Sequence, residues 1–237
     1  VGIDVSRDKF VTLNEDHQLR LVTCPDRNPA LKKYPNLLTY SVYRRTKDGD
    51  KERDGNPFIY ALKKTKGFRI RSRELVRFNP SFDAILDKIM ERVPCGGLVT
   101  VPSSYPVAEI LARRISRKNG AEIFNSIFKK ATVGEVIAGF DQAAVKRQHR
   151  AEVKSQLATF AKLDPNELVT LKEMRNKIRP YFNPLSLNTD LLECLPAENL
   201  LLVDDLLSTG TTISNAAKLL KASGFNVAGA VCLLSAL

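Results

Sequence analysis

The sequence predicts an α/β protein built on a parallel sheet. Three apolar runs, LVTV at 98–101, NLLLV at 199–203 and FNVAGAVCLL at 225–234, have the unbroken character of strands covered on both faces. The first two are each followed by a polar turn and then by apolar residues at helical spacing. Strand, helix, strand units of this kind imply a sheet wound by right-handed crossovers.

Taken along the chain, residues 1–36 mix charge, Pro and Asn without a clear period and read as an irregular arm. Leu38, Tyr40 and Val42 alternate with Thr39, Ser41 and Tyr43, which predicts a strand. The turn-rich KDGDKERDGN follows, and PFIYALKK reads as a second strand, giving a hairpin that GFRIRSRELVRF extends. A helix is expected from Asn79 as cap and Pro80 as first helical residue, with Phe82, Ile85, Leu86, Ile89, Met90 and Val93 on one face. Pro94, Gly96 and Gly97 end it, and the boundary near residue 95 separates an N-terminal region (1–95) from a core (96–237). In the core, LVTV leads through PSSYP into a helix carrying Val107, Ile110, Leu111 and Ile115, closed by Asn119-Gly120. Glu122–Phe128 reads as a strand. A long insert, 129–198, reads as helix over 133–160, with Asp164-Pro165-Asn166-Glu167 opening another that Arg179-Pro180 and Asn183-Pro184 break. NLLLV then feeds a helix with Ile213, Ala216, Ala217, Leu219 and Leu220, stopped by Ser223-Gly224 before the last strand.

With 237 residues, 43% hydrophobic and 27% charged, the chain has a globular composition and enough length to bury a core. No apolar run approaches the ~20 residues of a membrane helix, and VGIDVSRDKF lacks a basic-then-apolar leader pattern. Cys24, Cys95, Cys194 and Cys232 form no CxxC pair, and His17 and His149 are the only histidines, so zinc and disulfide frameworks lack their spacing. Free thiols in a reducing cytoplasm are the expectation. The net charge of +11 is uneven: residues 31–80 hold 14 basic and 5 acidic residues, +9 of the total. A basic segment on a near-neutral body suits a polyanion, or is a solvated hairpin.

The chemistry concentrates in LLLVDDLLSTGTTI, residues 200–213. The strand delivers Asp204 and Asp205 to its C-terminal end, where open α/β sheets bind ligands. Ser208, Thr209, Gly210, Thr211 and Thr212 then turn into a helix. The backbone N–H groups of such a turn converge with the helix N-terminus on one point, hydroxyls add donors, and Gly210 permits close backbone approach. Carboxylates beside an anion cradle repel phosphate; they suit hydroxyl groups or a Mg²⁺ with oxygen ligands. Phosphate and vicinal hydroxyls a short distance apart describe a ribose 5-phosphate. A plain helix cap is the simpler reading of one Asp or Thr, yet seven of the nine positions from 204 to 212 are polar or Gly.

This stretch resembles the phosphoribosyl-pyrophosphate (PRPP) motif of type I phosphoribosyltransferases: apolar residues, two acids, two apolar residues, then Ser/Thr-Thr-Gly-Thr. VTVPSSYP is similar to the family's pyrophosphate loop in its competence-protein (ComF-like) branch. The resemblance covers roughly 96–237. It implies a Rossmann-like parallel sheet with a small β-containing N-terminal hood in residues 1–95, and the helical insert stands where the family carries a shorter mobile loop. It implies that Asp204 and Asp205 hold the ribose hydroxyls, that Ser208 to Thr212 hold the 5-phosphate, and that Ser103, Ser104 and Tyr105 face pyrophosphate. Mg²⁺ is the implied cofactor, with Asp204 and Asp205 as direct or indirect ligands, and a homodimer is a common family assembly. The implied reaction displaces pyrophosphate from the anomeric carbon by a nitrogen nucleophile. Lys146, Arg147, Arg150 and Lys154 of the insert read first as a solvated helix face, second as cations closing over pyrophosphate. The competing reading is an inactive sensor of PRPP or a nucleotide, or a nucleic-acid-binding effector, using the basic segment 31–80 with its interleaved Tyr34, Tyr40, Tyr43, Phe58, Tyr60, Phe68 and Phe78.

Overall fold

A computed structural model describes residues 1–46, 56–171 and 174–235. The N-terminal residues expected as an irregular arm form strands. β1 (Gly2–Val5) and β2 (Phe10–Asn14) make an antiparallel hairpin. β3 (Leu21–Val22) follows, then β4 (Ala30–Tyr34) and β5 (Leu37–Arg45), an antiparallel pair joined by Pro35 and Asn36. Asn36 sits at φ 60°, a left-handed conformation that Asn tolerates better than most residues. The turn expected in KDGDKERDGN falls, over residues 47–55, outside the described residues.

The expected second strand of the basic hairpin is a helix, α1 (Asn56–Leu62). Phe58, Ile59 and Ala61 are all buried, a set that one helix face can supply and an alternating strand cannot. β6 (Arg69–Ile70) pairs in parallel with β2. α2 (Ser72–Met90) starts seven residues before the expected cap, so Pro80 lies inside it. Tertiary contacts carry the helix through that break. Buried Glu74 accepts from the Leu13 backbone N–H (3.2 Å) and pairs with Arg77 (3.1 Å), which also donates to the Leu13 carbonyl. Phe78 stacks on Phe58 at 4.8 Å between ring centres, and its carbonyl accepts from the Tyr43 hydroxyl.

The core follows expectation more closely. β7 (Gly97–Thr100) leads into α3 (Val107–Asn119), closed by Gly120 in the left-handed region. The apolar face of α3 is Val107, Ala108, Leu111, Ala112 and Ile115, whereas Ile110 points to solvent. The strand expected over 122–128 is two: β8 (Glu122–Phe124) and β9 (Phe128–Lys130), with Ser126 at φ 64° between them. The single helix expected over 133–160 is broken into α4 (Val133–Ala138) and α5 (Arg150–Phe160). Thr132 and Glu135 form a reciprocal cap at the start of α4, and Gly139 ends it. Asp164 to Glu167 close a turn and open no helix; Val169 pairs back onto Ala131. β10 (Leu185–Leu187) is antiparallel to β9. The insert keeps its own small core, in which Phe182 packs against Phe140 and Phe160. β11 (Leu200–Leu207), α6 (Thr211–Ala222) and β12 (Val227–Ser235) complete the chain.

Among the described residues seven strands form the main sheet, in the order β5–β12–β11–β7–β8, all parallel, with β3 and β4 both antiparallel to β5. The architecture is therefore mixed α/β with a mostly parallel central sheet, compatible with a Rossmann-like fold. Strands from both sides of residue 95 share this sheet. Leu98, Leu201 and Val203 pack under α2 and α3, while Val99, Leu200 and Leu202 pack under α6. Helices on both faces explain why these strands are continuously apolar. β7 to β8 and β11 to β12 step away from adjacent central strands in opposite directions, which leaves a crevice beyond the ends of β7 and β11.

Leu201 has no exposed surface, so Leu201→Ala is expected to cost about 3 kcal/mol in urea unfolding without changing the slope. Ile110→Ala, at the exposed position of α3, is expected to stay within about 0.5 kcal/mol of wild type.

Candidate functional site

β11 runs four residues further along β12 than along β7. Its pairing with β7 ends at Val203 and Thr100, whereas its pairing with β12 continues to Leu207 and Ser235. Asp204 and Asp205, expected at the end of the strand, thus lie within it and ahead of its last residues, with one edge open toward the loop after β7. Adjacent strand residues project to opposite faces. Asp205 turns toward α1 and the Val101–Tyr105 loop, and Asp204 lies in register with Cys232.

Asp205 is 5% exposed, and its Oδ2 is the meeting point of three distant segments. The Ser103 hydroxyl donates to it at 2.7 Å, and the Lys63 ammonium, at the end of α1, pairs with it at 2.6 Å. The Ser103 Oγ also accepts from the Tyr105 backbone N–H at 3.4 Å, and the Lys63 ammonium sits 5.8 Å from the centre of the Tyr105 ring. The Asp204 carboxylate accepts from the Asp205 backbone N–H at 2.7 Å. Burial, reinforced by the charge of Asp205, raises the Asp204 carboxyl to about 7; that backbone N–H and Lys63 offset part of the rise. Burial and both carboxylates push the Cys232 thiol well above its ordinary range, so it stays protonated.

Gly210 caps α6 at φ 79°, and the Thr209 and Thr211 hydroxyls lie 2.9 Å apart across it. The first N–H groups of a helix have no acceptor within it; that of Thr211 is met by the Thr209 hydroxyl at 3.4 Å, and this end of α6 lines the crevice. A Cβ on Gly210 would collide with the ring and hydroxyl of Tyr34, the last residue of β4. The Tyr34 hydroxyl is buried without a partner among the described residues.

Ser103, Ser104, Tyr105, Asp204, Asp205 and the Ser208–Thr212 turn all line one cleft of about 280 Å³. Lys63, Lys130, Thr170 and Arg179 line it as well, and sequence reasoning placed none of them there. The insert therefore walls the cleft with Lys130 and Arg179, while Lys146, Arg147, Arg150 and Lys154 lie away from it. The Asn56-Pro57 helix start was a readable signal for α1 and hence for Lys63 at its end. No comparable signal marks Lys130 or Arg179.

With the Lys63 ammonium seated on Asp205, the residues present do not form a Mg²⁺ site of their own. Mg²⁺ takes six oxygens in near-octahedral array, one or two of them from carboxylates and the rest from water and a ligand's phosphates. Here Asp205 already shares its Oδ2 with an ammonium, which a second cation would have to displace. Among the described residues no three His, Cys, Asp or Glu side chains are grouped to hold a metal ion. Of the aromatic residues in 31–80, Tyr40, Tyr43, Phe58, Phe68 and Phe78 are buried and Tyr34 and Tyr60 half-buried, so their rings serve the core before any base could stack on them. Among the described residues no helix is long and apolar enough to cross a membrane.

Fold and cleft together define a mixed α/β protein with a crevice at the point where the sheet winding reverses, lined by two adjacent acids and a hydroxyl-rich turn. No protein-family model matches the chain, and no curated protein matches it.

Gly210→Ala is expected to destabilise the fold by about 2 kcal/mol or more, from the left-handed backbone and the clash together. Tyr34→Ala in the same chain should recover part of that loss, which a double-mutant cycle in urea would read as coupling. The raised carboxyl of Asp204 sets a pH dependence. Between about pH 4 and pH 7 the folded state holds a proton that the unfolded chain has lost, so stability falls as pH rises through that window. Asp204→Asn should gain stability relative to wild type over the same range, and parallel curves would show that Asp204 titrates normally.

Proposed function

We propose that the chain binds PRPP in this cleft and transfers its ribose 5-phosphate to a nitrogen nucleophile, releasing pyrophosphate. The observation that carries the reading is the hydrogen bond from Ser103 to Asp205. It joins the loop after β7 to the end of β11, so that the acids stand between two loops suited to anions.

In this reading the N-terminus of α6, with Thr211 and Thr212 at its first turn, takes the 5-phosphate, and the Asp204 and Asp205 carboxylates accept from the ribose hydroxyls. The anomeric carbon then faces the Ser103–Tyr105 loop. The bond from that carbon to the pyrophosphate oxygen breaks with its electron pair leaving on pyrophosphate, and the bond to nitrogen forms. The nitrogen releases its proton to solvent. Charge develops mainly on the leaving group, so preorganised donors and cations around it lower the barrier. The transfer therefore does not call for a His-Asp pair, and both histidines lie outside the cleft. Lys130 and Arg179 bring the insert's positive charge to the same cavity.

Calorimetric titration with PRPP tests the reading. Wild type is expected to bind at micromolar concentration, and the Asp204→Asn, Asp205→Asn double variant to lose about 100-fold or more, two hydrogen-bonded carboxylates being removed. A folded wild type that takes up no PRPP would sink the proposal. Pyrophosphate release in a screen of nitrogen acceptors then separates a transferase from a sensor.

A further inference from the structure

We propose that Lys63 is the resident cation of this site: its ammonium takes at Asp205 the place of a divalent metal and holds the pyrophosphate end of the ligand. The proposal rests on the reading of the cleft as a PRPP site and adds to it a residue from outside the segment that carries the motif.

The geometry singles out Lys63 among the cations lining the cleft. Lys130 is exposed on β9, and Arg179 donates through Nε to the Met174 carbonyl within the insert. The Lys63 side chain is only 18% exposed and is held between Asp205 and the Ser103–Tyr105 loop, the segment expected to meet pyrophosphate. An ammonium carries three donors, and one of them meets Asp205. The others remain for oxygens of a ligand in the cleft. A hydrogen-bonded ammonium beside a buried carboxylate does there what a metal ion does elsewhere: it cancels the acid's charge, so that an anion can approach. Without it, Asp204 and Asp205 would together repel pyrophosphate. The backbone after α1 keeps the side chain in place. Lys64 and Lys66 both lie in the left-handed region, at φ 51° and 54°, and the Lys63 N–H is bonded to the Ile59 carbonyl. Lys63 neither forms nor breaks a bond in this role and keeps its proton throughout.

The test is calorimetric titration of inorganic pyrophosphate and, separately, of ribose 5-phosphate, each with excess EDTA and with Mg²⁺. Wild type, Lys63→Met and Lys63→Arg are compared, with melting curves to confirm that each is folded. Wild type is expected to bind pyrophosphate in EDTA. Lys63→Met should weaken that binding by about 30-fold, the scale of one lost charged hydrogen bond, and should weaken ribose 5-phosphate by a clearly smaller factor, through the loss of its contact with Asp205 alone. Mg²⁺ should restore pyrophosphate to Lys63→Met, because a metal then enters the place the ammonium has left. Lys63→Arg, which keeps the charge, should bind near wild type. Three results would each overturn the proposal: a wild type that binds pyrophosphate only with Mg²⁺, a Lys63→Met variant that binds it as wild type does, or equal losses for both ligands in that variant. A wild type that binds neither ligand would take down the PRPP reading itself, and Lys63 with it.

Discussion

The unequal length of β11's two neighbours governs the rest of the site. A strand paired on both sides to its end would bury its last carbonyls and amides in the ladder and would present nothing to a ligand. β7 stops at Thr100 and β12 does not. The residues after Val203 are therefore held straight by one neighbour and opened by the loss of the other. Two carboxylates stand in that half-paired stretch, where backbone rigidity fixes their positions and the open edge admits other segments to them. The deeply apolar run from Leu200 to Val203 anchors this arrangement, since all four residues have no exposed surface.

Asp205 turns that opening into a junction. Its Oδ2 receives a hydroxyl from the loop after β7 and an ammonium from α1, so three stretches far apart in sequence meet at one oxygen. A buried ion pair is a poor source of stability, because desolvation offsets much of its attraction. Its value here lies in placement: the acid, the loop and the lysine are held at fixed distances around a cavity. Asp204, one residue earlier and on the other face, has its carboxyl raised first by burial and then by the neighbouring charge of Asp205, with Lys63 offsetting part of the rise.

How much of this could be read from sequence depended on whether the signal was local. The central strands, α3 and α6 were legible, because apolar runs and helical spacing report burial directly. Gly120 and Gly210 were legible as the helix end and the turn they occupy. The N-terminal region was not. Asn-Pro marks a true helix start at Asn56 and a false one at Asn79, and the difference lies in contacts from Glu74, Arg77 and Phe78 to partners distant in the chain. In the same way the acids, the hydroxyl-rich turn and Ser103 announced themselves by pattern, whereas Lys63 is one lysine among many. It becomes distinct only when α1 carries it to β11. Lys130 and Arg179 owe their position to the fold of the insert, which no spacing in the sequence discloses.

The order of strands in the main sheet also bears on what part of this chain is portable. β5 covers the outer edge of β12 along most of its length, and β4 in turn covers β5. A fragment beginning at residue 96 would keep the acids and the Ser208–Thr212 turn, yet it would expose a long, flat, apolar edge on β12. Such an edge offers a row of unpaired backbone groups to any strand in solution, above all to another copy of itself. It would also lack Lys63 and the Tyr34 ring that backs Gly210. The smallest unit that keeps this edge covered is thus larger than the stretch holding the acids and the turn, and a cut between the two halves is expected to yield an aggregating half where a free-standing domain was intended.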